Sequence, residues 1–187
     1  MATNKILKMI KAIVYDRYGS KKGLLRHLYY RLAWLFGAYR SKKALAPSLF
    51  NRLIFVCSGN ICRSPVAEAY ACHLGFNAFS CGLHCTDDHP ADPRAEAYAQ
   101  SIGLNLAIHK TKNIRNFKFQ ESDLIIGMEP KHVRELKELN LCGATVALAG
   151  AFCNPPIPYI HDPFNCSKPH FTLCEDRVAE SVRGLLG

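Results

Sequence analysis

A cysteine, an arginine and a serine stand close together in one short segment, Cys57-Ser-Gly-Asn-Ile-Cys-Arg63-Ser64-Pro65. An apolar run precedes this segment and an amphipathic run follows it, so it links a strand to the start of a helix. Loop N–H groups, the positive end of the helix dipole and the planar guanidinium of Arg63 together suit an oxyanion such as phosphate. The same positive field favours the thiolate of Cys57, which predicts a nucleophile at neutral pH.

Packing is the alternative interpretation of each cysteine in this segment, because an intracellular cysteine commonly behaves as a small apolar residue. For Cys57 the nearby Gly59 and Arg63, together with the position between strand and helix, favour the nucleophile. For Cys62 taken alone, packing is favoured.

Short apolar runs alternate with longer amphipathic runs from residue 53 onward. This alternation predicts an α/β fold with a parallel sheet covered on both faces. Five prolines between Gly150 and Pro169 predict a long ordered loop without helix. The predicted strands are Leu53–Cys57, Asn77–Cys81, Asp123–Met128 and Ala144–Ala149, and the predicted helices are Ser64–Leu74, Asp92–Ile102, Pro130–Leu139 and Phe171–Leu186.

The stretch VCSGNICRSPVAEA resembles the active-site signature of the low-molecular-weight protein tyrosine phosphatases. The likeness extends over residues 53–187, through SCG at 80–82, ADPRA at 91–95 and the late Asp162-Pro163. The resemblance implies three layers, with a four-stranded parallel sheet between helices and the phosphate-binding loop after the first strand. It also implies hydrolysis of phosphotyrosine through a cysteinyl phosphate, without a metal or another cofactor.

The resemblance assigns a catalytic role to three residues. Cys57 is the implied nucleophile, Arg63 holds the phosphoryl oxygens, and Asp162 is the general acid and then the general base. The bare residues support Asp162 less strongly, because an aspartate before proline also begins ordinary turns. His161 beside it is interpreted as a solvated loop histidine.

Further residues are implied to bind phosphate, to support the loop or to border the substrate. The phosphate-binding loop comprises Ser58, Gly59, Asn60, Ile61, Cys62, Arg63 and Ser64. Asn60, Ser64, Ser80 and His109 are the implied supporting residues. The positions that correspond to the substrate rim hold Leu83, His84 and Phe164.

The remaining cysteines leave two other function classes open. The resemblance implies a reversible disulfide between Cys57 and Cys62. Cys81 and Cys85 keep a thioredoxin-coupled arsenate reductase as a less favoured alternative, and a weakly active phosphotyrosine-binding module is a third. No C-x-x-C pair of zinc spacing occurs outside the loop, so no metal site is predicted.

Positive charge is concentrated at the N-terminus. Residues 1–52 contain twelve of the 24 Lys and Arg but one of the 15 acidic residues, for a charge of +11, and residues 53–187 have a charge of −2. We therefore expect a basic extension at 1–50 and a phosphatase domain at 51–187, with no nucleic acid partner. Nine cysteines without a secretory signal predict a cytoplasmic location.

The extension contains two segments with amphipathic helical periodicity, Lys5–Tyr15 and residues 24–36. Four interpretations stay open: contact of residues 1–45 with the inner face of a membrane, binding in a partner's groove, packing on the catalytic domain, and a mitochondrial-type presequence. The resemblance implies bacterial relatives that act on tyrosine kinases of polysaccharide export, so a membrane-bound tyrosine kinase is an expected substrate. The packing interpretation would place these leucines against the domain: Leu24, Leu28, Leu32 and Leu35.

Overall fold

Four parallel strands form the centre of the computed structural model, which describes residues 2–38, 45–139 and 141–187, without the side chains of residues 2–5, 7 and 10. The strand order is β2-β1-β3-β4. This arrangement confirms the predicted α/β fold, and it places the carboxyl end of β1 between those of β2 and β3. The strands are β1 (Arg52–Cys57), β2 (Ala78–Gly82), β3 (Asp123–Gly127) and β4 (Thr145–Leu148).

Helices cover both faces of this sheet. Alternate residues of β1 point to opposite sides, as strand geometry requires. Leu53 and Phe55 join a core that includes residues of α3, α4 and α6, whereas Ile54 and Val56 join a second core that includes Leu136 of α5. The helices are α3 (Arg63–His73), α4 (Pro93–Ser101), α5 (Pro130–Glu138) and α6 (Lys168–Leu186).

The predicted helices have recognisable start signals. Pro65 lies in the first turn of α3, where the missing N–H of proline costs little. Asp92 caps α4 by accepting a hydrogen bond from the N–H of Arg94 at 2.8 Å. The prediction of a helix-free stretch from Gly150 to Pro169 was wrong at its two ends, because a 3-10 turn covers Ala149–Phe152 and α6 begins at Lys168.

Two further helices precede the sheet, α1 (Ala2–Tyr18) and α2 (Lys21–Leu35). They confirm the helices expected in the extension. Ser20 separates them and caps α2 by accepting a hydrogen bond from the N–H of Gly23 at 2.9 Å. α1 packs against α2 and α6. No helix among the described residues is long and apolar enough to cross a membrane.

The extension contacts the catalytic part through a polar and aromatic surface. Ser167 donates a hydrogen bond to the carboxylate of Asp16 at 2.8 Å, and the rings of Tyr30 and Tyr159 are 5.3 Å apart. Leu28, Leu32 and Leu35 are exposed instead, and Leu24 is half-buried. The packing interpretation is therefore wrong for Leu28, Leu32 and Leu35, because α2 presents another face to the domain. In the first predicted segment, Lys5–Tyr15, the side chains of Lys5, Leu7 and Ile10 lie outside the described residues.

Candidate active site

The loop after β1 wraps its backbone around the sulfur of Cys57. The N–H of Asn60 donates to Sγ at 3.2 Å, and the hydroxyl of Ser64 lies 3.1 Å from the same sulfur. Asn60 has a φ of 54°, a left-handed conformation that asparagine tolerates better than most residues. This turn leads directly into α3, so the positive end of the helix dipole points at the loop.

The buried side chain of Asn60 holds this loop in place. Its Nδ2 donates to the hydroxyls of Ser64 at 2.9 Å and Ser80 at 2.8 Å, and its Oδ1 accepts from the N–H of Lys112 at 2.8 Å. The carbonyl of Asn60 is 2.8 Å from Nε2 of His109. The structure thus brings together all four predicted supporting residues.

Glu68 and Gly82 lie behind the loop, and neither was given a role from the sequence. Ser80 donates its hydroxyl proton to Glu68, a residue of α3. Gly82 ends β2, where an added Cβ would lie 2.6 Å from Sγ of Cys85 and 3.0 Å from Cβ of Asn60. Glycine is therefore needed for the close approach of β2 to the loop. In the sequence, the motif Ser80-Cys-Gly could have indicated this close packing.

Arg63 is nearly inaccessible, with a side-chain exposure of 1%. Its Nη1 donates to Oε1 of Glu129 at 2.9 Å and to the carbonyl of Ile160 at 3.0 Å, and its Nη2 lies 3.2 Å from Oδ2 of Asp162. Burial alone would lower the pKa of Arg63, but the carboxylates of Asp162 and Glu129 outweigh it and raise that pKa. The guanidinium therefore stays charged inside the protein.

Glu129 and His132 are further site residues that the motif did not contain. Glu129 follows β3, whose carboxyl end lies beside that of β1 in the sheet. Nε2 of His132 lies 3.0 Å from the hydroxyl of Ser58, and burial lowers the pKa of His132 to about 2. The ring is therefore neutral at physiological pH and positions the loop without adding charge.

A cavity of about 230 Å³ lies beneath Asp162. Cys57, Arg63 and Asp162, the three predicted catalytic residues, all line it, and Ile61 and Phe164 supply apolar walls. The side chain of Asp162 is 39% exposed, so its carboxylate reaches both the cavity and solvent. A sulfur nucleophile, a fixed cation and a carboxyl group around one small cavity can carry out displacement at a phosphorus atom.

Two of the three expected rim residues lie elsewhere. Leu83 is buried in the second core, so its assignment to the rim was wrong. His84 is at the surface, 3.1 Å from the carboxylate of Glu135, and is not among the described residues that line the cavity. Phe164 alone of the three borders the cavity.

Cys62 points away from solvent into the first core. Burial raises its pKa, which favours the protonated thiol. Cys57 and Cys62 are both free thiols in this structure. A disulfide between them stays a prediction.

The family model of the low molecular weight phosphotyrosine protein phosphatases matches residues 52–187. The chain belongs to this family. It is 34% identical over 138 residues to a putative low molecular weight protein-tyrosine-phosphatase of Klebsiella pneumoniae, an alignment that covers 72% of this chain and 94% of the relative. It is 37% identical over 140 residues to the phosphatase Wzb of Escherichia coli K12, with coverages of 72% and 92%.

The solved structures agree with this membership. The crystal structure of the tyrosine phosphatase amsI of Erwinia amylovora superposes with a TM-score of 0.63 at 28% sequence identity. The superposition covers 73% of this chain and 91% of that one. The phosphatase fold is thus shared, and residues 1–51 lie outside the match to the family model.

We expect Asn60→Ala to lower kcat/KM for an aryl phosphate by roughly tenfold to a hundredfold, because each buried partner left unsatisfied costs ~1–3 kcal/mol. Steady-state kinetics and thermal melting would be measured together. Asn105→Ala, which changes an exposed loop asparagine, is the matched control and should leave kcat/KM unchanged. Wild-type kcat/KM in a folded Asn60→Ala variant would show that this hydrogen-bond network does not organise the loop.

Proposed function

We propose that this protein hydrolyses phosphotyrosine in protein substrates through a covalent intermediate on Cys57. The observation that carries the proposal is that one cavity brings together the sulfur of Cys57, the guanidinium of Arg63 and the carboxylate of Asp162. Membership of a phosphotyrosine phosphatase family supports the same reaction.

In the first step, the thiolate of Cys57 attacks phosphorus, and the bond to the tyrosine oxygen breaks. Arg63 and the loop N–H groups hold the non-bridging oxygens as their charge redistributes. Asp162, in its protonated form, gives its proton to the departing phenolate, so tyrosine leaves neutral. The products of this step are dephosphorylated tyrosine and a cysteinyl phosphate.

In the second step, the carboxylate that Asp162 has become accepts a proton from water. The resulting oxygen nucleophile attacks phosphorus and expels the sulfur of Cys57 as thiolate. Ser64 lies 3.1 Å from that sulfur and is placed to donate its hydroxyl proton to the thiolate. Inorganic phosphate is released, and Asp162 is again protonated for the next cycle.

The apolar side chains of Ile61 and Phe164 fit the aromatic ring of the substrate. They lie at the cavity together with Asp162, so a ring between them would place its oxygen near the proton donor. The phosphate-binding loop is assigned to residues 58–64, which surround the sulfur of Cys57. Leu83 has no part in this assignment.

The two alternative functions receive less support. An arsenate reductase that relays oxidation needs later cysteines able to reach the nucleophile as thiolates. Cys81 is fully buried in the second core, and this burial raises its pKa. A module that only binds phosphotyrosine would have no need of Asp162 at the cavity.

The proton-donor role predicts a leaving-group effect. Asp162→Asn should slow the phosphorylation step by a factor of roughly 10² to 10⁴ with phenyl phosphate, because phenolate needs a proton to leave. The loss should be much smaller with 2,4-dinitrophenyl phosphate, whose leaving group departs as a stable anion. Single-turnover kinetics of both substrates would measure this difference.

Asp88→Asn, at an exposed aspartate elsewhere, is the matched control and should leave both rates intact. Equal losses for the two substrates in Asp162→Asn would assign a purely structural role to Asp162.

We further propose that residues 1–50 are an extension of the phosphatase domain at 51–187, and that residues 1–45 contact an anionic membrane surface. The excess of basic residues in this part of the chain supports the contact. So do the exposed apolar side chains of both helices, which would otherwise face water. These exposed side chains are Ile6, Met9, Ile13, Leu25, Leu28, Leu32, Leu35 and Phe36.

A membrane contact would bring the active site to substrates on that membrane. We therefore propose a membrane-bound tyrosine kinase as the protein substrate. The enzyme would then work at the inner face of the membrane.

The double substitution Leu28→Ser/Leu32→Ser should weaken binding to vesicles of phosphatidylcholine and phosphatidylserine by roughly a hundredfold or more, because each leucine that the membrane buries contributes ~1.5–3 kcal/mol. Sedimentation of vesicles with the full chain would measure binding, which should also fall as salt rises. Leu74→Ser, at an exposed leucine of the phosphatase domain, should bind like the wild type. Vesicle binding that does not change with salt would contradict a membrane contact through Leu28 and Leu32. Equal vesicle binding by the wild type and both variants would contradict it as well.

A further inference from the structure

Two histidines and a cysteine come together beside the catalytic aspartate, outside the active-site cavity. His161 and Cys166 lie in the loop that carries Asp162, and His170 lies in the first turn of α6. One potential ligand atom from each of the three lies within 4.8 Å of the other two. None of these side chains has a role in the phosphatase steps proposed above.

The two histidines are each held through Nδ1, and Nε2 of His170 also has a hydrogen-bond contact with Cys174. Nδ1 of His161 bonds to the hydroxyl of Tyr159 at 2.5 Å, and Nδ1 of His170 bonds to the carbonyl of Asp16 at 3.2 Å. Histidines that bind a metal through Nε2 characteristically donate Nδ1–H to such an oxygen, which fixes the ring and its tautomer. A hydrogen bond at Nδ1 therefore orients each ring within the cluster.

Other groups around the cluster are compatible with a cation. Nε2 of His170 is 3.4 Å from Sγ of Cys174, a fourth buried atom of soft character. The carboxylate of Asp162 acts electrostatically on His161, and that of Asp16 acts on His170. The guanidinium groups of Arg63 and Arg26 oppose the carboxylate at His161.

The backbone between α1 and α2 closes over these donor atoms. Gly19 has a φ of 73°, and a Cβ there would lie 2.8 Å from Sγ of Cys166 and 2.9 Å from Nε2 of His161. A side chain at this position would fill the space between the two donors. Glycine keeps that space free while the extension covers the cluster.

We propose that His161, Cys166 and His170 form a binding site for one Zn²⁺ ion. Two imidazoles and a thiolate are typical zinc ligands, and a water molecule would complete the tetrahedron. Bonds of ~2.0–2.3 Å require donor atoms about 3.3–3.8 Å apart, so those pairs that are separated by up to 4.8 Å move closer on binding. Cys166 loses its proton to solvent as the zinc–sulfur bond forms.

The ion would connect three parts of the molecule. It would tie the loop of Asp162 to α6 through its ligands, and the extension would be held through the contact of Asp16 with His170. His161 directly precedes Asp162, so the ion would restrict the backbone from which that carboxylate projects. The sequence did not reveal this site because its ligands are not arranged as a C-x-x-C pair, and because His161 was expected to be solvated, whereas it is half-buried.

Titration of the full chain with Co²⁺ and with Zn²⁺ tests the site. In the Co²⁺ form, a thiolate ligand gives a charge-transfer band that absorption spectroscopy detects. Calorimetry gives the stoichiometry and affinity of Zn²⁺ binding. In the wild type we expect one ion per chain and a thiolate-to-Co²⁺ charge-transfer band. Cys166→Ser should abolish the band and weaken Zn²⁺ binding at least tenfold, and His170→Gln should weaken it comparably.

Matched controls separate this site from other thiols and imidazoles. Cys72→Ser and His73→Gln change exposed residues at the end of α3 and should bind like the wild type. Cys57→Ser should retain the band, which distinguishes the cluster from the active site. Because Cys166 is only half-buried, thermal melting of Cys166→Ser checks the fold, and Zn²⁺ should raise the melting temperature of the wild type but not of this variant.

Three results would overturn the proposal. One is the absence of a charge-transfer band in the wild type. Another is a band that persists in folded Cys166→Ser. The third is a band that disappears in Cys57→Ser while Cys166→Ser keeps wild-type affinity for Zn²⁺.

Discussion

The buried positive charge of Arg63 is the constraint on which the site depends. A guanidinium removed from water is costly unless acceptors surround it. Here the acceptors come from separate parts of the chain: Glu129 after β3, and the carbonyl of Ile160 with the carboxylate of Asp162 from the loop before α6. Meeting this requirement brings the end of β3 and the aspartate loop to the loop of Cys57.

The phosphate-binding loop needs its own support, because its conformation is not one that the chain adopts without help. Asn60 has a positive φ, and its N–H donates to the sulfur of Cys57 instead of to a backbone carbonyl. The network from Asn60 to Ser80 and His109 compensates for this arrangement. The loop is thus organised before substrate binds, so little reorganisation is needed during the reaction.

The alternation of apolar runs was sufficient to predict the four strands and the four α-helices of the catalytic part, because a parallel sheet with helices on both faces gives the clearest hydrophobic pattern. The motif around Cys57 and the resemblance together led to the residues around the sulfur. The resemblance included Gly82 and Glu129 without giving them a role, and His132 was not singled out at all, since all three contribute through tertiary contacts made by other elements. The orientation of α2 could not be predicted either. Its leucine-rich face suggested burial, but the side that faces the domain is the one whose Tyr30 contacts the ring of Tyr159.

The central claim is that phosphate passes through the sulfur of Cys57. Its most direct test is to mix full-length Asp162→Asn with 2,4-dinitrophenyl phosphate, quench within the first turnover, and locate the phosphoryl group by mass spectrometry of the digest. Because this leaving group needs no proton while the water of the second step still needs a base, we expect nearly one phosphoryl group per chain on the peptide that contains Cys57. Phosphorylation of a different residue, or release of the full amount of dinitrophenol without a phosphorylated Cys57, would contradict this account.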